Sequence, residues 1–282
     1  MIIGLLNLQT ITSASKDGLF LWLHQIVPTL LPFTIISYVY LQTNIFGEYY
    51  FIFSILSGFF FGVPLGSKLA IDGYQHKLLN KEQAQALCNF CNNLSPAFVM
   101  IYVFNNKIDY YYPKFVILYL LYLFPFICLC VFLFRHKIPV LCSREYSNKR
   151  ISVNTINSCI LNSFQTMIQL CGYIVLFSIL TELLSKIFVI ENAKVTCLFY
   201  SVLEITRGIN SFADANILHK DILVLPCLCF TGISCIIQTL SIIKSSSLSA
   251  KAFLKTKMLL TLLCGLQAAL LLLFRFNGNI NF

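Results

Sequence analysis

The stretch Ser57–Lys68, SGFFFGVPLGSK, begins as apolar as a membrane span and ends in Pro64, Gly66 and Lys68, with Asp72 and Gly73 just beyond. Three readings compete for it: a phosphate-binding loop, a turn at a membrane surface, and a helix broken inside a membrane. A phosphate-binding loop needs GxxxxGK[ST] between a strand and a helix. Here the glycine spacing is one residue short, Lys68 follows the serine, and no soluble α/β pattern surrounds it. The nucleotide reading is rejected.

Composition narrows the rest. The chain of 282 residues is 58% hydrophobic and only 11% charged, whereas a soluble domain is about a quarter charged. Apolar runs that reach the roughly 20 residues of a bilayer crossing recur at Leu19–Leu41, Leu87–Phe104, Phe115–Phe134, Ile156–Leu184, Ile222–Ile243 and Phe253–Phe274. The reading is an all-α polytopic membrane protein, with the lipid bilayer as its first partner. The apolar start, Met1–Leu8, is short and lacks a basic flank, so a cleaved signal peptide is not expected.

Twelve cysteines are scattered, most of them inside apolar runs, as small packing residues rather than a disulfide framework. Cys88-Asn-Phe-Cys91 has metal-pair spacing, yet no second pair accompanies it, so no metal and no other cofactor is expected. The net charge of +9 lies largely in short loops, where the positive-inside rule explains it without a nucleic-acid partner. No nucleophile–base or metal constellation appears, which argues against an enzyme.

Two apolar segments, Phe51–Leu69 and Cys197–Phe212, run into Gly, Pro or charge before going far: GVPLGSK in the first, LEITRGINS in the second. Short, interrupted segments suit discontinuous or re-entrant elements. Basic residues arbitrate. If both segments re-enter, the loops with Lys77 and Lys81, Arg135–Arg150 and Lys244–Lys257 share the cytoplasmic side, with eleven basic residues against seven outside. Full crossings would put Arg135–Arg150 and Lys244–Lys257 on opposite sides, which the rule disfavours.

The halves repeat each other. VPTLLPFTIIS (Val27–Ser37) corresponds to CGYIVLFSILT (Cys171–Thr181) at an offset of 144, GVPLG (Gly62–Gly66) to EITRG (Glu204–Gly208) at 142, and FCNNLSP (Phe90–Pro96) to FTGISCI (Phe230–Ile236) at 140. The expected organisation is a first membrane repeat over 17–134, a basic cytoplasmic loop over 135–155 and a second repeat over 156–276. One re-entrant element per repeat leaves three crossings, so the second repeat is inverted. Inverted repeats with paired broken helices, holding a small-molecule substrate near the midplane, are a secondary-transporter plan.

Candidate substrate residues follow from the breaks. Gly62, Pro64 and Gly66 would free backbone N–H groups, with Lys68 adding positive charge. The partner segment offers Thr206 and Arg207 beside Gly208. Together the two cations suit a small dianion. Against this, Asp72 can neutralise Lys68 at an interface, and Glu204 can pair with Arg207 along a helix. Otherwise Glu204 is a coupling carboxylate. Asn92, Asn93 and Ser95 cluster before the helix-breaking Pro96, opposite Gly232, Ser234 and Gln238. Interhelical hydrogen bonding is the plainer use of such residues. Trp22 and His24 read as packing and interface residues, and Tyr110–Tyr112 as an aromatic belt.

In order along the chain, GLFLWLHQIVPTLLPF, SGFFFGVPLGSK, EQAQALCNFCNNLSPAF, GYIVLFSIL, LEITRGI and FTGISCIIQTLSII resemble the YlbJ-type sporulation integral membrane proteins. Those proteins carry the domain called nucleoside recognition, or Gate. The resemblance covers about residues 17 to 260, in a chain shorter than is usual for the family. It implies an arrangement similar to concentrative nucleoside transporters and a place in the bacterial cell membrane. It further implies the outer forespore membrane during endospore formation and dipicolinic acid as the transported metabolite. A nucleoside carrier and a non-transporting membrane scaffold in spore assembly are the alternatives. The oligomeric state stays open, a homo-oligomer included.

Overall fold

The computed structural model describes residues 8–43, 47–104, 112–140, 152–188 and 190–276. The Tyr110 and Tyr111 positions and most of the basic central loop fall outside them. The described residues are 84% helical, and no strand occurs among them.

Two compact units divide the chain. The first takes Met1–Glu48 and Ser143–Glu191. Within it, α1 (Leu8–Leu21) runs through a π-turn at Trp22–Ile26 into α2 (Val27–Thr43), and α9 (Val153–Ile187) packs along them. Small residues allow the approach: a Cβ on Gly18 would lie 3.1 Å from the Cα of Val175. The Trp22 indole N–H donates to the Met167 carbonyl at 2.9 Å, and Tyr38 shares a hydrogen bond with Thr166 at 3.1 Å. Trp22 is thus a packing residue, as the sequence suggests, and His24 stacks tilted on Phe20 at 4.2 Å.

The second unit takes Tyr49–Cys142 and Asn192–Phe282, and the same order of elements occurs in it twice. First come α3 (Tyr50–Phe61) and α4 (Leu65–Gln75), then α5 (Lys81–Phe90), α6 (Pro96–Phe98) and a π-turn at Val99–Val103. The continuous run of α7 (Lys114–Leu118), a π-turn at Tyr119–Leu123 and α8 (Phe124–Arg135) closes this half. The later half has α10 (Ala193–Leu203) and α11 (Ile205–Asp214), then α12 (Asp221–Phe230) and α13 (Gly232–Lys244), then α14 (Ala250–Phe276).

Among the described residues, four helices are long and apolar enough to cross a membrane: Lys114–Arg135, Val153–Ile187, Ile222–Lys244 and Ala250–Leu273. Their outer faces carry Leu161, Phe164, Ile168 and Leu176 on α9 and Met258, Leu262, Leu266 and Leu270 on α14, all exposed. Apolar stripes this long on the outside of a protein are stable against hydrocarbon and not against water. The architecture is that of an all-α membrane-embedded protein.

The two short apolar segments are helical hairpins. A Cβ placed on Gly66 would lie 3.1 Å from the Cα of Gly58, although a continuous helix would separate residues eight apart by about 12 Å. Further down the arms, the Tyr50 hydroxyl donates to the Leu69 carbonyl at 3.0 Å. In α10–α11 the arms meet at Ser201 and Gly208, and Cys197 Sγ lies 3.2 Å from Ser211 Oγ. Both chain reversals follow from local chemistry. Gly62 has φ 69 and ψ −156, a region open in practice to glycine alone. Glu204 leaves the helix at φ −148 and caps the one that follows.

Two of the expected spans are interrupted along their length, the first beside the helix-breaking Pro96 already visible in the sequence. Leu87–Phe104 is interrupted: α5 ends at Phe90, and Cys91–Ser95 is irregular before Pro96 starts the next turn. Ile222–Ile243 is interrupted at Thr231, which is left-handed with φ 69, and at Gly232 with φ 83. Each half of the unit therefore holds one hairpin and one broken helix.

Candidate functional site

Each hairpin tip sits on a helix break. At the first, Val63 N–H donates to the Asn93 carbonyl at 2.7 Å. A Cβ on Gly62 would fall 2.5 Å from that carbonyl oxygen and 2.6 Å from the Ser95 nitrogen. Gly58 and Gly66 lie against Cys91 in the same way. At the second, a Cβ on Gly232 would stand 3.2 Å from the Ile205 nitrogen and 3.4 Å from the Ser201 carbonyl oxygen. Gly62 and Glu204 lie at the two hairpin tips, and Phe90–Pro96 and Phe230–Ile236 span the two breaks.

The backbone groups expected to be free are largely in use. Gly66 N–H donates to Gly62 and Lys68 N–H to Pro64, each at 3.0 Å. In the second hairpin the Glu204 carboxylate accepts from Thr206 N–H at 3.1 Å and Arg207 N–H at 2.9 Å, and also takes the Thr206 hydroxyl. A carboxylate thus already occupies the positive end of α11.

Both candidate cations are engaged within their own hairpins. Lys68 Nζ lies 3.1 Å from Asp72 Oδ1, an ion pair one turn along α4. Asp72 is buried, and its other oxygen has no hydrogen-bond partner among the described residues. The Arg207 guanidinium lies over the Tyr200 ring, 5.1 Å from its centre, a favourable electrostatic contact.

The polar cluster of the first break divides by role. Asn93 Nδ2 donates to Phe90 at the end of α5 at 3.0 Å, and Ser95 Oγ accepts from Phe98 N–H at 3.1 Å. Both cap the broken ends. Asn92 instead reaches the other half of the unit: its Nδ2 donates to Thr239 Oγ1 on α13 at 2.9 Å. Its Oδ1 is a buried acceptor with no partner among the described residues. Ser234 and Gln238, on the same helix as Thr239, are buried too. Tyr102, beyond the first break, donates to Asn210 Oδ1 on α11 at 3.0 Å.

Lys257 was expected in a basic cytoplasmic loop, and that expectation is corrected. It lies in α14, is 1% exposed, and donates from Nζ to the Asn92 carbonyl at 2.9 Å. The helical period exposes the reason. Phe253, Lys257, Leu260, Cys264 and Ala268 form the buried stripe of α14, spaced as one face of a helix. Lys251 and Lys255 stand on the exposed side. Tyr112 is corrected likewise: it is buried, and its hydroxyl donates to the Ala268 carbonyl at 2.6 Å rather than facing an interface.

Comparison of the chain with models of known families, with curated proteins and with solved structures finds no match.

Proposed function

We propose that this chain is a membrane transporter for a small polar, anionic metabolite. The observation that carries the reading is the seating of each hairpin tip on a broken helix, twice in one chain. Irregular backbone at membrane depth is tolerated where it is buried in protein or lines a polar cavity. Two such breaks, each covered by a hairpin, are what a gated midplane site requires. A scaffold has no use for four interruptions of its helices.

With the hairpins re-entrant, each half of the chain crosses three times, its helix of the first unit included, so the second half is inverted. The cytoplasmic loops then keep Lys77, Lys81, the Arg135–Arg150 segment, Lys244, Lys251 and Lys255 together, and the removal of Lys257 from that set leaves the charge rule satisfied. Around the tips, Lys68, Arg207 and Lys257 outnumber Asp72 and Glu204, a balance that favours an anion. Resemblance to the YlbJ-type sporulation proteins and to concentrative nucleoside transporters points to dipicolinic acid, carried across the outer forespore membrane. The buried amides and hydroxyls of Asn92, Gln238, Ser234 and Thr239 support a nucleoside as the second reading, since they can serve an uncharged polar ligand.

Binding to purified protein separates these readings. Dipicolinate, uridine and adenosine are titrated against the detergent-solubilised chain, with thermal stabilisation as the readout. Stabilisation by dipicolinate alone supports the anion carrier, stabilisation by nucleosides alone replaces it with the second reading, and none by any of the three counts against both.

A further inference from the structure

The ammonium of Lys257 occupies an unusual place. It is buried, and it touches the carbonyl of Asn92 at 2.9 Å, two residues past the C-terminal end of α5. That end carries the negative pole of a helix and carbonyls that the break has released. Asn92 Oδ1, on the same residue, is a second buried acceptor without a partner among the described residues. The other groups that face Lys257 electrostatically are the thiols of Cys229 on α12, Cys235 on α13 and Cys264 on α14 itself. No carboxylate forms an ion pair with Lys257 among the described residues. A lysine without a counter-carboxylate, held against a released carbonyl at a helix break, stands as a small cation would. Unwound carbonyls and half-helix C-termini are where transporters hold a coupling ion.

We propose that Lys257 is a tethered cation that fills a monovalent-ion position at the first helix break, so the site is complete without sodium. The idea adds to the transporter reading and is testable apart from it, because the readout below is stability rather than flux.

The test uses the purified full-length chain in detergent, melted in sodium chloride, choline chloride and propylammonium chloride at equal ionic strength. Wild type should melt at the same temperature in all three. Lys257→Ala should melt lower in choline by roughly 3–10 °C, with much of the loss regained in sodium or propylammonium. Lys257→Arg should keep the wild-type indifference to salt. If Lys257→Ala does not survive purification, Lys257→Met decides: it keeps the stem and loses the charge, and should fall below Lys257→Arg in choline. Stabilisation of wild type by sodium overturns the proposal. So does a Lys257→Met protein as stable as wild type, or a Lys257→Ala protein that no cation restores.

Discussion

The backbone N–H of Val63 donates to the carbonyl of Asn93 across 2.7 Å, and this bond fastens the tip of the first hairpin to the break in the next helix. Gly62 makes the approach possible, because its positive φ leaves no room for a side chain beside Asn93 and Ser95. Gly62→Ala should therefore destabilise the protein by about 1–3 kcal/mol through backbone strain alone, with a further cost from the clash. Gly172→Ala is the control, since a Cβ there meets nothing within 4 Å; it should be neutral or stabilising by up to about 1 kcal/mol in the middle of α9. Paired thermal melts in one detergent check the contrast. Equal effects would mean that the tip is not seated on the break.

Lys68 and Asp72 should behave as a coupled pair. Lys68→Gln leaves the Asp72 carboxylate buried, with one oxygen already lacking a partner. Removing one member of a fully buried pair costs about 3–5 kcal/mol. The Lys68 side chain is 30% exposed, so a loss on the order of 1–2 kcal/mol is expected after solvent screening. The double change Lys68→Gln/Asp72→Asn should recover most of it. A double-mutant cycle showing no coupling would contradict the pairing and bring back the reading of Lys68 as a substrate-binding cation.

Arg207 is the residue of choice for testing the anion. Arg207→Gln should weaken dipicolinate binding roughly tenfold to a hundredfold, the effect of one lost charge-assisted contact. Glu204→Gln/Arg207→Gln controls for the charge balance at the tip. Glu204→Ala should separately cost about 0.5–2 kcal/mol, because it removes the cap of α11. Unchanged dipicolinate affinity in a well-folded Arg207→Gln protein would move the uncharged-substrate reading ahead.

The proposed inversion of the second half would put the bases of the two hairpins on opposite sides of the membrane. Gln75 and Asn216 are exposed near those bases. In a cysteine-depleted background, an impermeant maleimide should label Gln75→Cys from the cytoplasmic side and Asn216→Cys from the other. Labelling of both from one side would contradict the inversion.

The hairpins were legible because their interruptions are chemically loud: Gly62, Pro64 and Lys68 in one, Glu204 and Arg207 in the other, set in apolar sequence. The breaks in the long spans were quieter. Pro96 marked the first, whereas Thr231–Gly232 lies between apolar runs, and a left-handed threonine has no sequence signature of its own. The roles of Asn93 and Ser95 as caps depend on where the helix stops, which composition does not reveal. Lys257 was hidden by its neighbours. Lys244, Lys251 and Lys255 make the region read as a charged loop, and only the period shared with Phe253, Leu260 and Cys264 turns Lys257 inward.

The measurement that bears most directly on the central claim is uptake of labelled dipicolinate by the purified chain in liposomes, with uridine in parallel. The account predicts saturable dipicolinate entry, weakened in Arg207→Gln and abolished in Gly62→Val, where the first tip can no longer seat. A reconstituted, folded protein that moves neither compound above empty liposomes would contradict the claim that the two hairpins gate a transport site.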